Sequence, residues 1–441
     1  MRFLLYSLLI TILFSVISCT NSLDIPEEMD DCRWVDCPEV EDTLSTGYEK
    51  YLLWSREIVE GADDFLMSPI KTRGNSIYYS SSAGSNHVAK VKATTGVEYW
   101  KWHYQFLFTE DLYLSPNTDH VFVCRSNRII LIDDFVGDWT NVIEEENFNV
   151  FEEGYMGDEH FYRAAYKGFF GPLWHVARLP VRDLEQSEIL FSINAEDYGA
   201  GRLIIGEMVE WRNPSTGDLH LLVESWLNNQ KALLINYNVD RRRKEWELVD
   251  SVNNPNNNFN PNVKELRLVN DKILVITGQD IYAINPGTGS IEWTYFSEGG
   301  GGGLDTRGIS SPTYIPLTNA LLAISSGYDL PSERLTIDLS SGNVNRESMF
   351  STAHFKPLYY DNYIIDFSVV RRELERWTYT LEVKNASDFS LLRSVEIPHF
   401  SDATLISDEN CLILVSGKEF FAFDLNKIID SGRLYSFLSF V

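Results

Sequence analysis

The sequence predicts an all-β protein: an eight-bladed β-propeller of four-stranded antiparallel sheets, with seven blades as the alternative count. Two observations carry that prediction. A short apolar strand, a small polar turn and a tryptophan recur along the chain, most clearly at Ala283-Ile284-Asn285-Pro286-Gly287-Thr288-Gly289-Ser290-Ile291-Glu292-Trp293 and again from Val91 to Trp100. Between the copies lie strand-rich runs such as 272–277 and 320–324, and long amphipathic helical windows are hard to find. Self-similarity at intervals of tens of residues marks rings and solenoids.

Indexed on the residue that begins the turn, copies fall at Lys92, Asp133, Asn238, Asn285, Asp338 and Asp424, with degenerate ones near Val181 and Asn385. From 92 to 424 the mean interval is about 47 residues, the size of a four-stranded blade. Each marker has a physical reason. Asp or Asn at the turn start can bond backbone amides two residues on. Glycine four residues later supplies the positive φ that the hairpin requires. A tryptophan eight residues on returns along the outer strand, where its flat ring can fill the space between wedge-shaped sheets.

The copy at Asn285 carries Thr288, Gly289 and Trp293, and that at Lys92 carries Thr95, Gly96 and Trp100. The others are worn. Asp133 keeps Gly137 but has its tryptophan displaced to Trp139, and Asn238 keeps Trp246 with Arg242 in place of glycine. Asp338 keeps Gly342 with Arg346 in the tryptophan position, and Asp424 has lost both later markers.

A ring of blades needs closing. Residues 51–58 stand before the first full repeat and read as an orphan outer strand with its own tryptophan, Trp54. They are expected to pair with the last blade around 403–425, hiding sheet edges that invite aggregation. Two segments interrupt the repeats: an Asn/Pro-rich connector at 253–261, and a loop at 297–305 with five consecutive glycines. No Gly-Lys-Ser/Thr follows those glycines, so they read as a connector rather than a phosphate cradle.

The front of the chain gives an address. Residues 1–18 hold one basic residue, Arg2, and an apolar core with no acidic group, as in a secretory signal sequence. Val16-Ile17-Ser18-Cys19 resembles the lipobox of bacterial lipoproteins, which implies lipidation of Cys19; an ordinary cleaved signal peptide is the alternative. Thr20, rather than aspartate, follows the cysteine, which in such lipoproteins favours the outer membrane. Asp24, Glu27, Glu28, Asp30 and Asp31 then form an acidic stretch that resembles the tether of surface-exported lipoproteins and equally fits a plain solvated linker. The expected organisation is signal peptide 1–18, acidic tether 19–49 and a single propeller 50–441.

With 37 Lys+Arg against 64 Asp+Glu the chain carries a net −27, which argues against nucleic acid and anionic headgroups as partners. Cys32 and Cys37 flank Arg-Trp-Val-Asp in the tether, where an exported compartment permits a local disulfide; two free thiols are the alternative. Cys124 and Cys411 lie in apolar strands and read as small buried hydrophobes.

The phrase Ala-x-Asp-x-x-Thr-Gly-x-x-x-Trp is the signature of the pyrroloquinoline-quinone-like propeller repeat. Residues 283–293 resemble it with Asn285 for aspartate, and residues 90–100 keep only Thr95, Gly96 and Trp100, with Lys90 and Lys92 in the other two places. With the lipobox, the chain resembles propeller lipoproteins that scaffold the outer-membrane β-barrel assembly machinery. The same repeat occurs in quinone-dependent dehydrogenases, but their vicinal cysteine pair is missing from this sequence, as is an EF-hand-like calcium spacing. Asp133, Asp338 and Asp424 therefore read as turn caps.

Other chemistry is sparse. The eight histidines are scattered, and neither His-Glu-x-x-His nor Gly-x-Ser-x-Gly occurs. Asp158-Glu159-His160, beside Tyr155 and Tyr162, is the densest acid–base patch and reads first as a solvated loop. No catalytic, cofactor-binding or metal-ligating residue is assigned, and no cofactor is expected. The expected function is a non-catalytic scaffold binding an envelope protein at the bacterial outer membrane, on its periplasmic or cell-surface face. A carbohydrate-binding or carbohydrate-active propeller is the alternative, with acids from distant blades. Cys19→Ser is expected to abolish incorporation of radiolabelled palmitate and release the protein from the membrane fraction; undiminished labelling would place the lipid elsewhere.

Overall fold

Apolar runs rich in β-branched and aromatic residues, punctuated by turn chemistry, fold into antiparallel strands that group into eight sheets. The structure is a computed structural model. It describes residues 47–430 except 58–64, 67–69, 83–86, 104–110, 126–127, 145–149, 167–171, 182–186, 229–230, 252–262, 278–279, 298–307, 327–331, 350–354, 372–376 and 417–418. The predicted tether cysteines, the asparagine-rich connector and the polyglycine run lie outside the described residues, as does Cys19.

Each sheet is a blade whose strands, here a to d, run from the axis outward in chain order. Blades 1 to 7 span 65–103, 111–144, 150–194, 203–251, 263–296, 308–348 and 358–397. Blades 1 and 6 contain a fifth strand because strand a is broken: Phe65–Leu66 and Lys71–Arg73 both pair with Ser76–Ser82, and Gly308–Ile309 and Thr313–Ile315 both pair with Ala320–Ser326.

Blade 8 draws strands a to c from 402–424 and strand d from Leu52–Glu57. That strand runs antiparallel to Glu419–Asp424, with Leu52 opposite Phe423 and Glu57 opposite Glu419. The count is eight, and the ring closes as the sequence predicts. It also explains the worn copy at Asp424: its outer strand comes from the other end of the chain, so its tryptophan is Trp54. Trp54 pairs with Ala422, two residues before the turn, just as Trp100 pairs with Lys90 and Trp293 with Ala283.

Alternation along the strands builds the core between blades rather than within them. In blade 5, Ile281 and Ala283 face blade 6 while Tyr282 and Ile284 face blade 4. Eight apolar clusters result, each spanning one junction. Cys124 and Cys411 are buried within two of them, in no disulfide, and burial pushes the Cys411 thiol up to about 12.

The tryptophan and the glycine of one sequence copy do not meet each other. Each tryptophan reaches the next blade, where its ring lies on that blade's glycine and its indole N–H donates to the carbonyl just after the turn start. Trp54 donates to Ala93 at 2.7 Å, and Trp100 to Asp134, Trp246 to Pro286 and Trp293 to Leu339 at 2.8 Å each. A Cβ at Gly96 or Gly289 would stand 2.7 Å from the facing ring of Trp54 or Trp246.

Where the facing tryptophan is absent, glycine is not needed. Arg242 and Phe389 hold the same left-handed position, at φ 54° and 61°, opposite blades whose tryptophan position is held by other residues. Those junctions are tied differently. Phe191 stacks on Tyr237 at 4.4 Å between blades 3 and 4. Between blades 6 and 7, buried Asp366 accepts from Arg334 at 2.6 Å and from Lys384 at 2.7 Å, beside the small apolar cluster of Ile315, Leu322, Ile364 and Ala386. A pair of glycine substitutions tests the tryptophan contact. Gly217, at φ +78°, has nothing within 4 Å of an added Cβ, whereas one at Gly342, at φ +73°, would stand 2.7 Å from Trp293. Gly217→Ala should therefore show the backbone cost alone, about 1 kcal/mol, and Gly342→Ala should lose about 1–3 kcal/mol more through the clash. Equal losses in denaturant titrations would mean that the ring contact contributes nothing.

Candidate functional site

A meander of four strands places its a–b and c–d hairpins at one end of the ring, so the indexed turns all line one face. Their polar side chains are spent on their own backbones. Asp133 accepts the amides of Phe135 (2.8 Å) and Val136 (3.0 Å), Asn285 those of Gly287 and Thr288, and Asp338 those of Ser340 and Ser341. Asn238 accepts from the Arg241 amide at 2.9 Å, Asp424 from that of Lys427 at 3.2 Å, and the Thr95 hydroxyl from that of Val97 at 3.4 Å.

One turn differs from its siblings. The two tip residues are Thr94-Thr95, Asp240-Arg241, Gly287-Thr288, Ser340-Ser341 and Ser387-Asp388, but in blade 2 they are Phe135-Val136; Asp424 has no such tip, because a short helix, 425–430, follows it. Nothing in the turn geometry calls for apolar side chains there. Phe135 is 89% exposed and Val136 56%; Val97 (58%) and Tyr99 (48%) stand on blade 1, and Trp139 (59%) on the outer strand of blade 2. Trp139 is the displaced tryptophan of the repeat: Asn141, opposite Leu131, occupies the docking register, which leaves the indole in solvent. Lys90 ties the two blades, its amine lying 5.4 Å from the Tyr99 ring centre and 3.0 Å from the Asp134 carboxylate.

Next to this patch lies the acid–base segment. The blade 3 turn Gly157-Asp158-Glu159-His160 sits between blades 2 and 4, and Asn117 of blade 2 donates to the Asp158 carbonyl. Blade 4 contributes Glu210, which sequence reasoning missed. Its carboxylate accepts the Tyr162 hydroxyl at 2.7 Å and the Asp158 amide at 3.0 Å. The available signal was an extra strand–turn phrase, Glu210-Trp211-Arg212-Asn213-Pro214-Ser215-Thr216-Gly217, which is an a–b hairpin rather than a c–d one. Burial raises the Glu210 carboxyl above the usual carboxylate range, partly offset by the Tyr162 hydroxyl. Burial, then the charge of Arg178, holds His160 below the ordinary imidazole range. With both oxygens engaged, Glu210 is a latch between blades. Beside it opens a cleft of about 410 Å³ lined by Asn117, Asp158, Glu159, His160, Pro180 and Val181.

Near the axis, the inner strands of blades 5 to 8 and the segments beside them gather Glu265, Arg267, Ser311, Lys356 and Asp402. Arg267 donates to the Pro312 carbonyl at 2.7 Å, and Glu265 accepts from Arg267 and Ser311. Burial, then Arg267, lowers Lys356, while burial raises Asp402 and, in blade 2, Asp111, which accepts the Tyr113 hydroxyl at 3.2 Å. Among the described residues no three His, Cys, Asp or Glu side chains converge to hold a metal ion.

No protein-family model matches the chain, and no curated protein matches it by sequence. Solved structures do. Sqt1 of Saccharomyces cerevisiae is 10% identical with TM-score 0.57, over 84% of this chain and 99% of that one. The quinohemoprotein alcohol dehydrogenase ADHIIG of Pseudomonas putida is 10% identical with TM-score 0.54, over 85% and 76%. BamB of Moraxella catarrhalis is 10% identical over 84% and 98%, at a TM-score of 0.49 too loose to argue from. At such identities the likeness is one of fold, that of a β-propeller.

Tyr162→Phe tests the latch. It should cost about 1 kcal/mol and raise the Glu210 pKa further, because the lost hydroxyl favours the ionised carboxylate. For a carboxyl already raised by folding, stability is fully present below its unfolded pKa and is lost as pH rises through the folded one; the variant should shift that loss to higher pH. Carboxyl-carbon NMR titration of Glu210 reads the shift, and an unmoved resonance would refute the coupling.

Proposed function

We propose that this protein is a lipid-anchored, non-catalytic propeller that scaffolds a protein assembly at the bacterial outer membrane. The observation that carries the proposal is the Phe135-Val136 turn, an apolar tip where every other described copy is polar. Exposed aromatics clustered on one blade are what an interface core requires and what an isolated repeat does not. The lipobox at Cys19 supports the address, and Thr20 supports outer-membrane delivery, on the periplasmic or cell-surface side. The groups richest in acid and base support it too: Glu210 is tied up as a latch, and the indexed carboxylates cap turns.

The carbohydrate reading has one observation in its favour, the raised carboxyls of Asp111 and Asp402 with Tyr113 on inner strands. The full-length chain, purified from detergent-solubilised envelopes, decides between them. A stoichiometric envelope protein that stays bound through size exclusion, with no glycan-array signal, is the expected result. Glycan binding without a protein companion would overturn the scaffold reading.

A further inference from the structure

We infer that the apolar turn of blade 2 and the acidic cleft beside it form one docking surface for a protein segment that carries apolar side chains next to a lysine or arginine. This deepens the scaffold reading and rests on it. The two parts are continuous. The amide of Asp134, just before Phe135, donates to the Asp119 carbonyl at 2.8 Å, which joins the two hairpins of blade 2. Asn117, on the second of those hairpins, donates to the Asp158 carbonyl and lines the cleft. A single hairpin, 115–119, therefore borders both the exposed Phe135-Val136 tip and the Asp158-Glu159 wall.

Charge decides the partner's chemistry. The cations of this region are outnumbered, and most are already paired. Lys90 is held by Asp134 at 3.0 Å, and Arg178 by Glu188. Arg212 donates to the Gly217 carbonyl at 2.8 Å and offsets one charge among Asp158, Glu159 and Glu210, with which it lines a smaller pocket, and Arg241 pairs with Asp218 at 2.8 Å. The exposed carboxylates Asp119, Asp138, Asp158 and Glu159 form no ion pair with a described residue. His160, held below the ordinary imidazole range, adds no compensating charge near neutral pH. The surface thus offers apolar contact and unbalanced negative charge side by side, on a chain of net −27. A cationic head group seated in the cleft and apolar side chains on Phe135, Val136 and Trp139 satisfy both. A second copy would bring like charge to the same place, and anionic lipid headgroups would be repelled.

The test uses the full-length, membrane-anchored protein with a photo-reactive phenylalanine analogue in place of Phe135 or, separately, Trp139. The same analogue at Ser341, the matching tip in blade 6, is the control. Irradiation of cells should give an adduct at the first two sites and not at Ser341, and mass spectrometry should map it to a segment with apolar residues within a few positions of a Lys or Arg. Asp158→Lys with Glu159→Lys should cut adduct yield on the order of tenfold, and Asp158→Asn with Glu159→Gln by less, with the thermal midpoint unchanged in both. An adduct on a second copy, on lipid or on an acidic segment would overturn the inference, as would none above control or a yield indifferent to charge reversal. If an envelope protein still co-purifies in those cases, the docking surface is wrong and the scaffold reading stands. If none co-purifies, the scaffold reading itself fails.

Discussion

The ring is held by one repeated contact, the indole of one blade lying flat on the glycine of the next while its N–H caps that blade's turn carbonyl. Three requirements meet there. The glycine must adopt positive φ to complete the turn, it must lack a Cβ to admit the ring, and the carbonyl must face the neighbouring blade. A large aromatic with a single N–H donor meets the last two at once. Because each apolar cluster spans only one junction, stability is close to a sum around a circle, and a weak joint is felt locally. Blades 8 and 1 are joined by the same device: the strand 52–57 pairs with 419–424 in blade 8 and seats its Trp54 on Gly96 of blade 1.

Where the device is missing, the junction finds another solution, and the substitutes differ in kind. Between blades 6 and 7 the Asp366 carboxylate holds two cations in a buried site. Such a network is a modest source of stability, since desolvating three charges offsets much of their attraction. Between blades 3 and 4 the substitutes are an aromatic stack and the Glu210 latch. Blade 2 is the exception on which the proposed function rests: its tryptophan leaves the docking register, and its turn tip is apolar. Local rules are broken there without any gain to the ring, and such places are where function is expected.

Fold and job are therefore separable in this molecule. Likeness to Sqt1 and to a quinohemoprotein dehydrogenase is likeness of fold, and a fold does not by itself imply a function. The hairpin tips lie on a face where turn residues can vary without disturbing the blades, and the proposed binding surface uses one of them.

The sequence alone determined what is local. Turn chemistry acts within four residues, and strand alternation within a strand, so the repeat interval, the strands, the positive-φ glycines and the outer strand at Trp54 could all be read from residue order. The densest acid–base segment, Asp158-Glu159-His160, could be read in the same way. Tertiary structure alone decided which residues meet across blades. Trp246 finds Pro286 forty residues on, and Asp158 finds Glu210 fifty-two residues on; no short-range pattern encodes those pairings. The same is true of the exposure of Phe135. An apolar pair in a turn looks like core until the ring is closed and the tip is left facing water.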